Sequence, residues 1–351
     1  MDIRFGRLAA LSGLLALIAG GAAATTCDSA AGGGGEVARR AAAFAQTLTP
    51  AQSQAVRRAY SQADAIRWSN LPVGIAPRIG LRLGDLNAAQ AQTFEPLLRA
   101  ALSRCGVDLL AEIRAADGVL MPSDTRDIGW NPGNYYVAFI GQPSATKPWG
   151  LLIGGHHIAY NLTFNAAQAS ATPLFDGVEP VEFKAGGRDH APLAAQAQAM
   201  RVLATAIADR PGATLEGEFR DVTRGATDKG DTNFPMTYPT GTAGRGVAYA
   251  SLGPAQKALV RAAMARWVEL PNAAVAGPLM AQYTRESALA QTYVGIAGGA
   301  DLAKPGAYVR IDGPRLWIEF IVQAAVADRT KVHYHTIWRD KVADYGGAFA
   351  P

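Results

Sequence analysis

Two segments near the carboxyl end, RLWIEFIVQ at 315–323 and KVHYHTIW at 331–338, carry the clearest indication of the fold. Both are rich in β-branched and aromatic residues, which are typical of β-strands. In the second segment His333 and His335 are separated by one residue. On a strand both side chains therefore point to the same face, with about 6–7 Å between their Cα atoms. The sequence thus predicts a sheet that carries a pair of histidines.

Further strands and helices are predicted on the amino-terminal side of these segments. Strands are predicted at 135–140, 149–164, 292–296 and 308–312, the second of them as one long strand or a bent pair. Helices are predicted at 36–48, from Thr49-Pro50 onwards, at 87–103, 108–119, 191–208, 253–274 and 278–289. Helices around dispersed antiparallel strands predict an α+β fold, with an antiparallel or mixed sheet flanked by helices.

Three details of this assignment depend on glycine, proline and glutamine. Gly106 is interpreted as the residue that ends the helix at 87–103. The segments 173–183 and 211–245 are interpreted as irregular because of their proline, glycine and polar content. The glutamine-containing helices that begin near 86–87 and 252–253 look alike, which indicates an internal repeat.

The amino-terminal residues predict an exported protein. Residues 1–24 combine Arg4 and Arg7, an apolar run at 8–19 and small residues before position 25, which together are typical of a signal peptide. A retained membrane anchor is the alternative, although the apolar run is short for a membrane span. Residues 25–35 are predicted to be a flexible leader and 36–351 a single domain. The mature chain lacks a second long apolar run, so no membrane span is predicted in it, and we expect a periplasmic or secreted location.

The two cysteines can be assigned in three ways. An exported compartment permits a disulfide between Cys27 and Cys105. The sequence leaves open, as well, two unbonded thiols or a lipid on Cys27. Two cysteines are too few for a tetrathiolate zinc site.

Composition excludes several classes of protein. The chain has 351 residues, of which 49% are hydrophobic and 18% charged, which is enough apolar content for a large core. Its net charge of +4 is scattered and its aromatic content is only 8%, which argues against a nucleic-acid partner. The phosphate-binding loop and the serine nucleophile elbow are both missing from the sequence, so we expect no nucleotide cofactor.

The histidines carry the strongest functional indication. Four of the five lie in two pairs, His156-His157 and His333 with His335. On a regular strand His156 and His157 point to opposite faces, so His157 is the better candidate ligand and His156 a further ligand or a supporting residue. A bulge at Gly154-Gly155 would change this assignment. Three imidazoles with an open position are typical of catalytic zinc or copper sites.

Charged residues near these histidines are candidates for catalysis. Glu319 lies in an otherwise apolar strand, where a carboxylate is costly unless it is paired or binds a metal. Arg310 or Arg339 is suited to hold an anionic substrate group, and Asp340 follows directly. A structural salt bridge of Glu319 with Arg310 or Arg339, and a stabilising pair of Arg339 with Asp340, are the alternatives.

The sequence resembles the family called domain of unknown function 3500. The matching segments are Trp68 with Pro72, Arg78 to Leu81, Leu102-Ser103 before Gly106, Tyr135 to Ser144, Trp149-Gly150, Gly155-His156-His157 with Asn161, Thr172-Pro173 with Phe175, Arg310 to Pro314, Ile318-Glu319-Phe320, His333-Tyr334-His335, and Trp338-Arg339-Asp340. The resemblance covers nearly the whole mature chain and favours one continuous domain. It supplies no reaction.

We therefore expect an exported metal-binding protein, with zinc, copper or iron, that acts as a hydrolase or oxidoreductase on a small and anionic substrate. A non-catalytic protein with the same residues around a metal-free ligand pocket is the alternative, and a structural envelope protein is a third. Whether the protein is an enzyme stays open from the sequence.

Overall fold

The structure is a computed structural model that describes residues 27–28, 32–125, 127–166, 168–217, 223–225 and 230–347. The predicted signal peptide lies outside these ranges, as do 25–26 and 29–31 of the predicted leader. Among the helices in these ranges, none has the length and apolar character that a membrane crossing requires.

The helices occupy most of the positions that apolar spacing predicts. They are α1 (Gly34–Gln46), α2 (Pro50–Val56), α3 (Gln62–Ala65), α4 (Ala88–Ala101), α5 (Arg104–Leu120), α6 (Ala194–Ile207), α7 (Pro254–Val268), α8 (Ala273–Tyr283) and α9 (Glu286–Leu289). Thr49 caps α2 as predicted, because its hydroxyl accepts a hydrogen bond from the backbone N–H of Gln52.

The strands form one large sheet and a separate small hairpin. They are β1 (Arg57–Arg58), β2 (Leu81–Arg82), β3 (Tyr136–Ile140), β4 (Trp149–Gly155), β5 (Ile158–Asn165), β6 (Gln168–Ser170), β7 (Leu174–Val178), β8 (Phe183–Ala185), β9 (Arg188–His190), β10 (Val247–Ala248), β11 (Tyr293–Ala297), β12 (Tyr308–Asp312), β13 (Leu316–Ala324) and β14 (Val332–Asp340). The sheet order is β1-β3-β4-β5-β7-β14-β13-β12-β11-β10, with β2 beside β3 and β6 beside β5. Only the β1–β3 pairing is parallel among the described strands, so the predicted α+β fold with a mixed sheet is confirmed.

The two faces of the sheet have different covers. On β13, Ile318 and Phe320 belong to the main apolar core that the helices share. The alternate residues Trp317 and Glu319 point to the opposite face. There, Trp68 of the loop before β2 packs on Phe175 of β7, and residues near 224 contact Glu319. We call this second side the loop face.

The structure corrects the prediction at 173–183, where β7 is a central strand between β5 and β14. All five residues of β7 are buried. A strand that is covered on both faces need not alternate between apolar and polar residues, and proline lies just before it and just after it. This is why the segment has the composition of a loop.

Gly106 is the second correction, because it lies in the first turn of α5 instead of ending α4. The hydroxyl of Ser103 accepts a hydrogen bond from the Gly106 N–H and thereby begins α5. A Cβ at Gly106 would lie 2.3 Å from the carbonyl oxygen of Leu270, so the glycine permits close packing.

Helix bounds near the carboxyl half also differ from the prediction. The predicted helix at 253–274 is two helices, because α7 ends at Val268 and α8 begins at Ala273. Pro278 lies inside α8 and does not begin a helix. The predicted segment at 149–164 is the bent pair, β4 and β5.

The predicted internal repeat has a structural counterpart. The side-chain oxygens of Gln90 in α4 and Gln256 in α7 each accept a hydrogen bond from the backbone N–H of the residue that caps their helix, Asn87 or Gly253. Their amide nitrogens each donate a hydrogen bond to a backbone carbonyl at the end of an earlier helix, that of Thr47 or Ala206. Gly80 and Gly246 precede equivalent short strands with φ of +105° and +104°. The two halves of the sheet meet where β7 pairs with β14.

The pairing of the cysteines is settled by a disulfide between Cys27 and Cys105, with a Cα–Cα distance of 5.2 Å. It attaches the start of the described chain to α5. A free thiol or a lipid on Cys27 is incompatible with this bond.

Candidate metal centre

His156 and His157 form the two-residue turn between β4 and β5. His157 has a left-handed φ of 63°, and its carbonyl accepts a hydrogen bond from the Gly177 N–H at 2.8 Å. The two rings stack with their centroids 3.6 Å apart. The prediction that they face opposite sides is therefore wrong, because a turn does not follow the alternation of a strand.

Three histidines converge on the loop face. The ring centroids of His333 and His335 lie 4.6 Å apart. The ring centroid of His157 lies 5.8 Å from that of His333 and 5.1 Å from that of His335. One ring nitrogen from each residue lies within 4.8 Å of the other two. Each residue is only 4–5% exposed. The prediction that the middle and the end of the chain meet at this point is confirmed, and the group could hold a metal ion.

Gly177 provides the space for this group. It lies opposite His335 in the β7–β14 pairing. A Cβ at Gly177 would lie 2.7 Å from Cδ2 of His157 and 2.8 Å from Cδ2 of His335. Sequence reasoning misses this residue because it falls in a segment whose composition indicates irregular structure.

Burial favours the neutral form of the three rings, which is the form that binds metals. Burial lowers the pKa of His157 and of His335 well below the usual value, and neighbouring imidazoles lower both further. Burial also lowers the pKa of His333, against the opposing effects of Glu179 and the Ala324 carbonyl.

The ring of His335 provides the test of fit. Both of its nitrogens are buried, and neither has a hydrogen-bond partner among the described residues. Buried polar atoms are rarely left in this state, so an imidazole without a partner beside two others suits a metal ligand.

The orientation of His333 is set from outside the group. Its Nδ1 lies 3.0 Å from the carbonyl oxygen of Ala324, to which an N–H can donate. That bond leaves Nε2 free to bind an ion, an arrangement common among metal-binding histidines. Glu179, 3.8 Å from the same Nδ1, is itself fixed by the N–H groups of Val326 and Ala327.

His156 lies outside the three-histidine group, and its ring stacks on that of His157. Its Nδ1 is 2.6 Å from an oxygen of Asp117 on α5, and the Tyr135 hydroxyl lies 3.0 Å from the other oxygen. Sequence reasoning misses Asp117. The signal for it is its place on the buried stripe of α5, four residues after Ile113.

The predicted catalytic residues lie elsewhere on the sheet. The oxygens of Glu319 accept from the Tyr308 hydroxyl, the Trp317 Nε1 and the Arg224 backbone N–H. Glu319 thus forms no ion pair with Arg310 or Arg339 among the described residues. Arg310 donates to the Gly244 carbonyl and lies over Trp317.

Arg339 and Asp340 point to different faces and do not pair with each other. Arg339 is fully buried and bonds Asp231 at 2.6 Å and Asp344 at 2.7 Å. Asp340 accepts from the Tyr283 hydroxyl and from Arg315 at 2.8 Å each. The structure brings neither to the three histidines, and the catalytic role of all four residues stays a prediction.

One family model matches the chain. It is described as a protein of unknown function, DUF3500, and it covers residues 33–347. Neither the curated proteins nor the solved structures contain a match to this sequence.

Proposed function

Starting from the fact that the chain belongs to the DUF3500 family, we propose that this protein binds one transition-metal ion through His157, His333 and His335 and acts as an exported metal-dependent enzyme. The observation that carries the proposal is the buried His335 ring, whose two nitrogens have no partner among the described residues although two other imidazoles adjoin it.

Three neutral imidazoles leave part of the coordination sphere of a metal free for a substrate. Zinc would supply Lewis-acid chemistry there, and copper or iron would add redox chemistry. The residues of the chain have defined parts. The Ala324 carbonyl orients His333, Asp117 holds His156 against His157, and Gly177 gives the rings room. A small anionic molecule is the proposed substrate class.

Export is part of the same proposal. It is supported by the basic and apolar pattern of 1–24 and by the disulfide of Cys27 with Cys105, since disulfides persist in oxidising compartments.

The test is the metal content of protein purified without a histidine tag and then loaded separately with zinc, copper or iron. We expect about one ion per chain in the wild type and its loss in His335→Ala. His190→Ala is the matched control, because His190 stacks on Phe183 outside the group. Equal metal content in the two variants, or a wild type that takes up no metal and gains no thermal stability from it, would contradict the proposal and favour a metal-free ligand pocket.

A further inference from the structure

A second polar cluster lies on the loop face around the buried ring of Trp317. Its cations are Arg310 on β12, Lys341 just after β14, Arg245 just before β10, and Arg224 in the segment at 223–225. Its two carboxylates are Asp312 on β12 and Glu319 on β13. We call it the Trp317 cluster, and it consists of Arg224, Arg245, Arg310, Lys341, Asp312 and Glu319 around Trp317.

The charges of this cluster do not balance. Asp312 pairs with both Arg245, at 2.8 Å, and Lys341, at 2.5 Å. The guanidinium groups of Arg224 and Arg310 each lie 4.8 Å from the centroid of the Trp317 ring. Within the part of the chain that the structure describes, neither guanidinium has an ion-pair partner. Two cations of the cluster therefore lack a counterion among the described residues.

Glu319 offsets one of the four positive charges, but it forms an ion pair with neither guanidinium among the described residues. Its oxygens are taken up by neutral donors, namely the Tyr308 hydroxyl at 2.8 Å, the Trp317 Nε1 at 2.7 Å and the Arg224 backbone N–H at 2.8 Å. With four cations facing two carboxylates, the cluster has a formal excess of two positive charges.

Burial makes this excess costly. Arg310 is only 3% exposed, and its Nε has no hydrogen-bond partner among the described residues. Thr223 is fully buried, and its hydroxyl has no hydrogen-bond partner among the described residues either. The same holds for the Nε of Arg224 and the hydroxyl of Tyr238. A buried charge needs an opposite charge, and a buried donor needs an acceptor.

Lys341 responds to the same imbalance. Burial lowers its pKa, bonding to Asp312 raises it, and Arg245 and Arg310 lower it again. The cations of the cluster are thus close enough to repel one another.

We propose that the Trp317 cluster binds a doubly charged tetrahedral oxyanion, either free phosphate or sulfate or the phosphoryl or sulfate group of a small molecule. Two negative charges match the formal excess. The planar guanidinium groups of Arg224 and Arg310 suit its oxygens, and the hydroxyls of Thr223 and Tyr238 supply further donors. The site uses none of the histidines, so it does not depend on a bound metal.

The experiment measures the melting temperature of metal-free protein with added phosphate, sulfate, acetate or chloride at equal ionic strength. For the wild type we expect a rise of about 5 °C at a hundredfold excess of phosphate or sulfate over its dissociation constant. Acetate and chloride are expected to have little effect. Glycerol 3-phosphate in a further arm distinguishes a phosphorylated molecule, if it binds more tightly than phosphate, from the free ion.

Variants assign the effect to the cluster. Arg310→Gln and the half-buried Arg224→Gln should lose the rise with phosphate, whereas Arg99→Gln, which changes an arginine on the surface of α4, should keep it. His335→Ala should also keep it, which separates this site from the metal centre. Circular dichroism checks that each variant folds. If Arg310→Gln does not fold, calorimetric titration of Arg224→Gln with phosphate tests the site, because this variant keeps the buried Arg310.

The proposal is overturned if phosphate up to about 10 mM gives no rise in the wild type, or if both arginine variants bind phosphate as tightly as the wild type does. An equal rise with acetate would also overturn it, because the site would then not select two charges.

Discussion

Gly177 shows how the absence of a side chain leaves room for two of the three rings, those of His157 and His335. It is a strand glycine with an ordinary φ, so its role does not lie in backbone freedom. A side chain there would occupy the space of the His157 and His335 rings, which lie 2.7 and 2.8 Å from the position of a Cβ. Protein interiors are close-packed, and rings so displaced cannot keep the geometry of a ligand set.

Gly177→Ala is therefore expected to weaken metal binding about tenfold or more. The matched control is Gly154→Ala, another strand glycine, where a Cβ would meet only the Ile158 carbonyl at an ordinary 3.6 Å. Competition with a chromogenic chelator measures both affinities. Equal affinities in the two variants would mean that the rings do not need the space at Gly177.

Asp176, the neighbouring residue, links β7 to the pH dependence of stability. Its side chain is fully buried and accepts from the Tyr160 hydroxyl at 2.6 Å, and its second oxygen has no partner among the described residues. Burial raises the pKa of Asp176 from 3.8 to about 7, and the bond from Tyr160 opposes that rise only in part.

The sign of the pH effect follows from proton uptake. Between about pH 4 and pH 7 the folded protein holds the Asp176 proton and the unfolded chain has lost it, so the free energy of unfolding falls as the pH rises. The contribution of this group is about 4 kcal/mol across the window, from about three pKa units. Below pH 4 both states are protonated, and above pH 7 the loss is complete.

Asn at position 176 cannot ionise, so Asp176→Asn is expected to remove the decrease in the free energy of unfolding between about pH 4 and pH 7. Urea unfolding of the variant and the wild type from pH 4 to pH 8 measures the free energy of unfolding of each. We expect the stability of the variant relative to the wild type to increase as the pH rises. A difference that stays constant over the range would mean that Asp176 ionises in the folded protein as it does in the unfolded chain.

At the scale of elements, the sequence predicts the parts of the fold that have a period or a cap. The strands β11 to β14 and the helices α1, α2 and α6 are predicted within a few residues, because alternation, apolar stripes and Thr49 mark them. β7 is not predicted, because a strand buried on both faces lacks alternation. The positions of His333 and His335 on one face follow directly from the period of a strand.

Other features of the site depend on contacts between distant residues. The stacking of His156 on His157 requires a turn, which Gly154-Gly155 permits but does not specify. Asp117 meets His156 across 39 residues, and Arg339 meets Asp231 across 108. No local pattern in a single sequence encodes such pairings, so the partners of Glu319 and Arg339 are not predictable from it.

At the scale of the whole molecule, the disulfide closes a loop of 78 residues between Cys27 and Cys105. Cross-linking a loop of that length removes conformational entropy from the unfolded chain, worth about 4 kcal/mol in the chain-entropy account. It also fastens the amino-terminal end to α5, the helix that carries Asp117.

Replacing both cysteines, Cys27→Ser with Cys105→Ser, is therefore expected to lower the free energy of unfolding by about 4 kcal/mol. Denaturant unfolding of the double variant, and of the wild type with and without a reductant, measures the change. Unchanged stability in both comparisons would show that the bond does not constrain the unfolded chain.

The internal repeat gives the histidine group an unusual location. His157 comes from the first half of the sheet, and His333 and His335 come from the second, on either side of the β7–β14 pairing. An ion bound by all three histidines would cross-link the two similar halves of the sheet where β7 pairs with β14. Neither half supplies all three histidines, so removal of a bound metal would weaken the contact between the two halves.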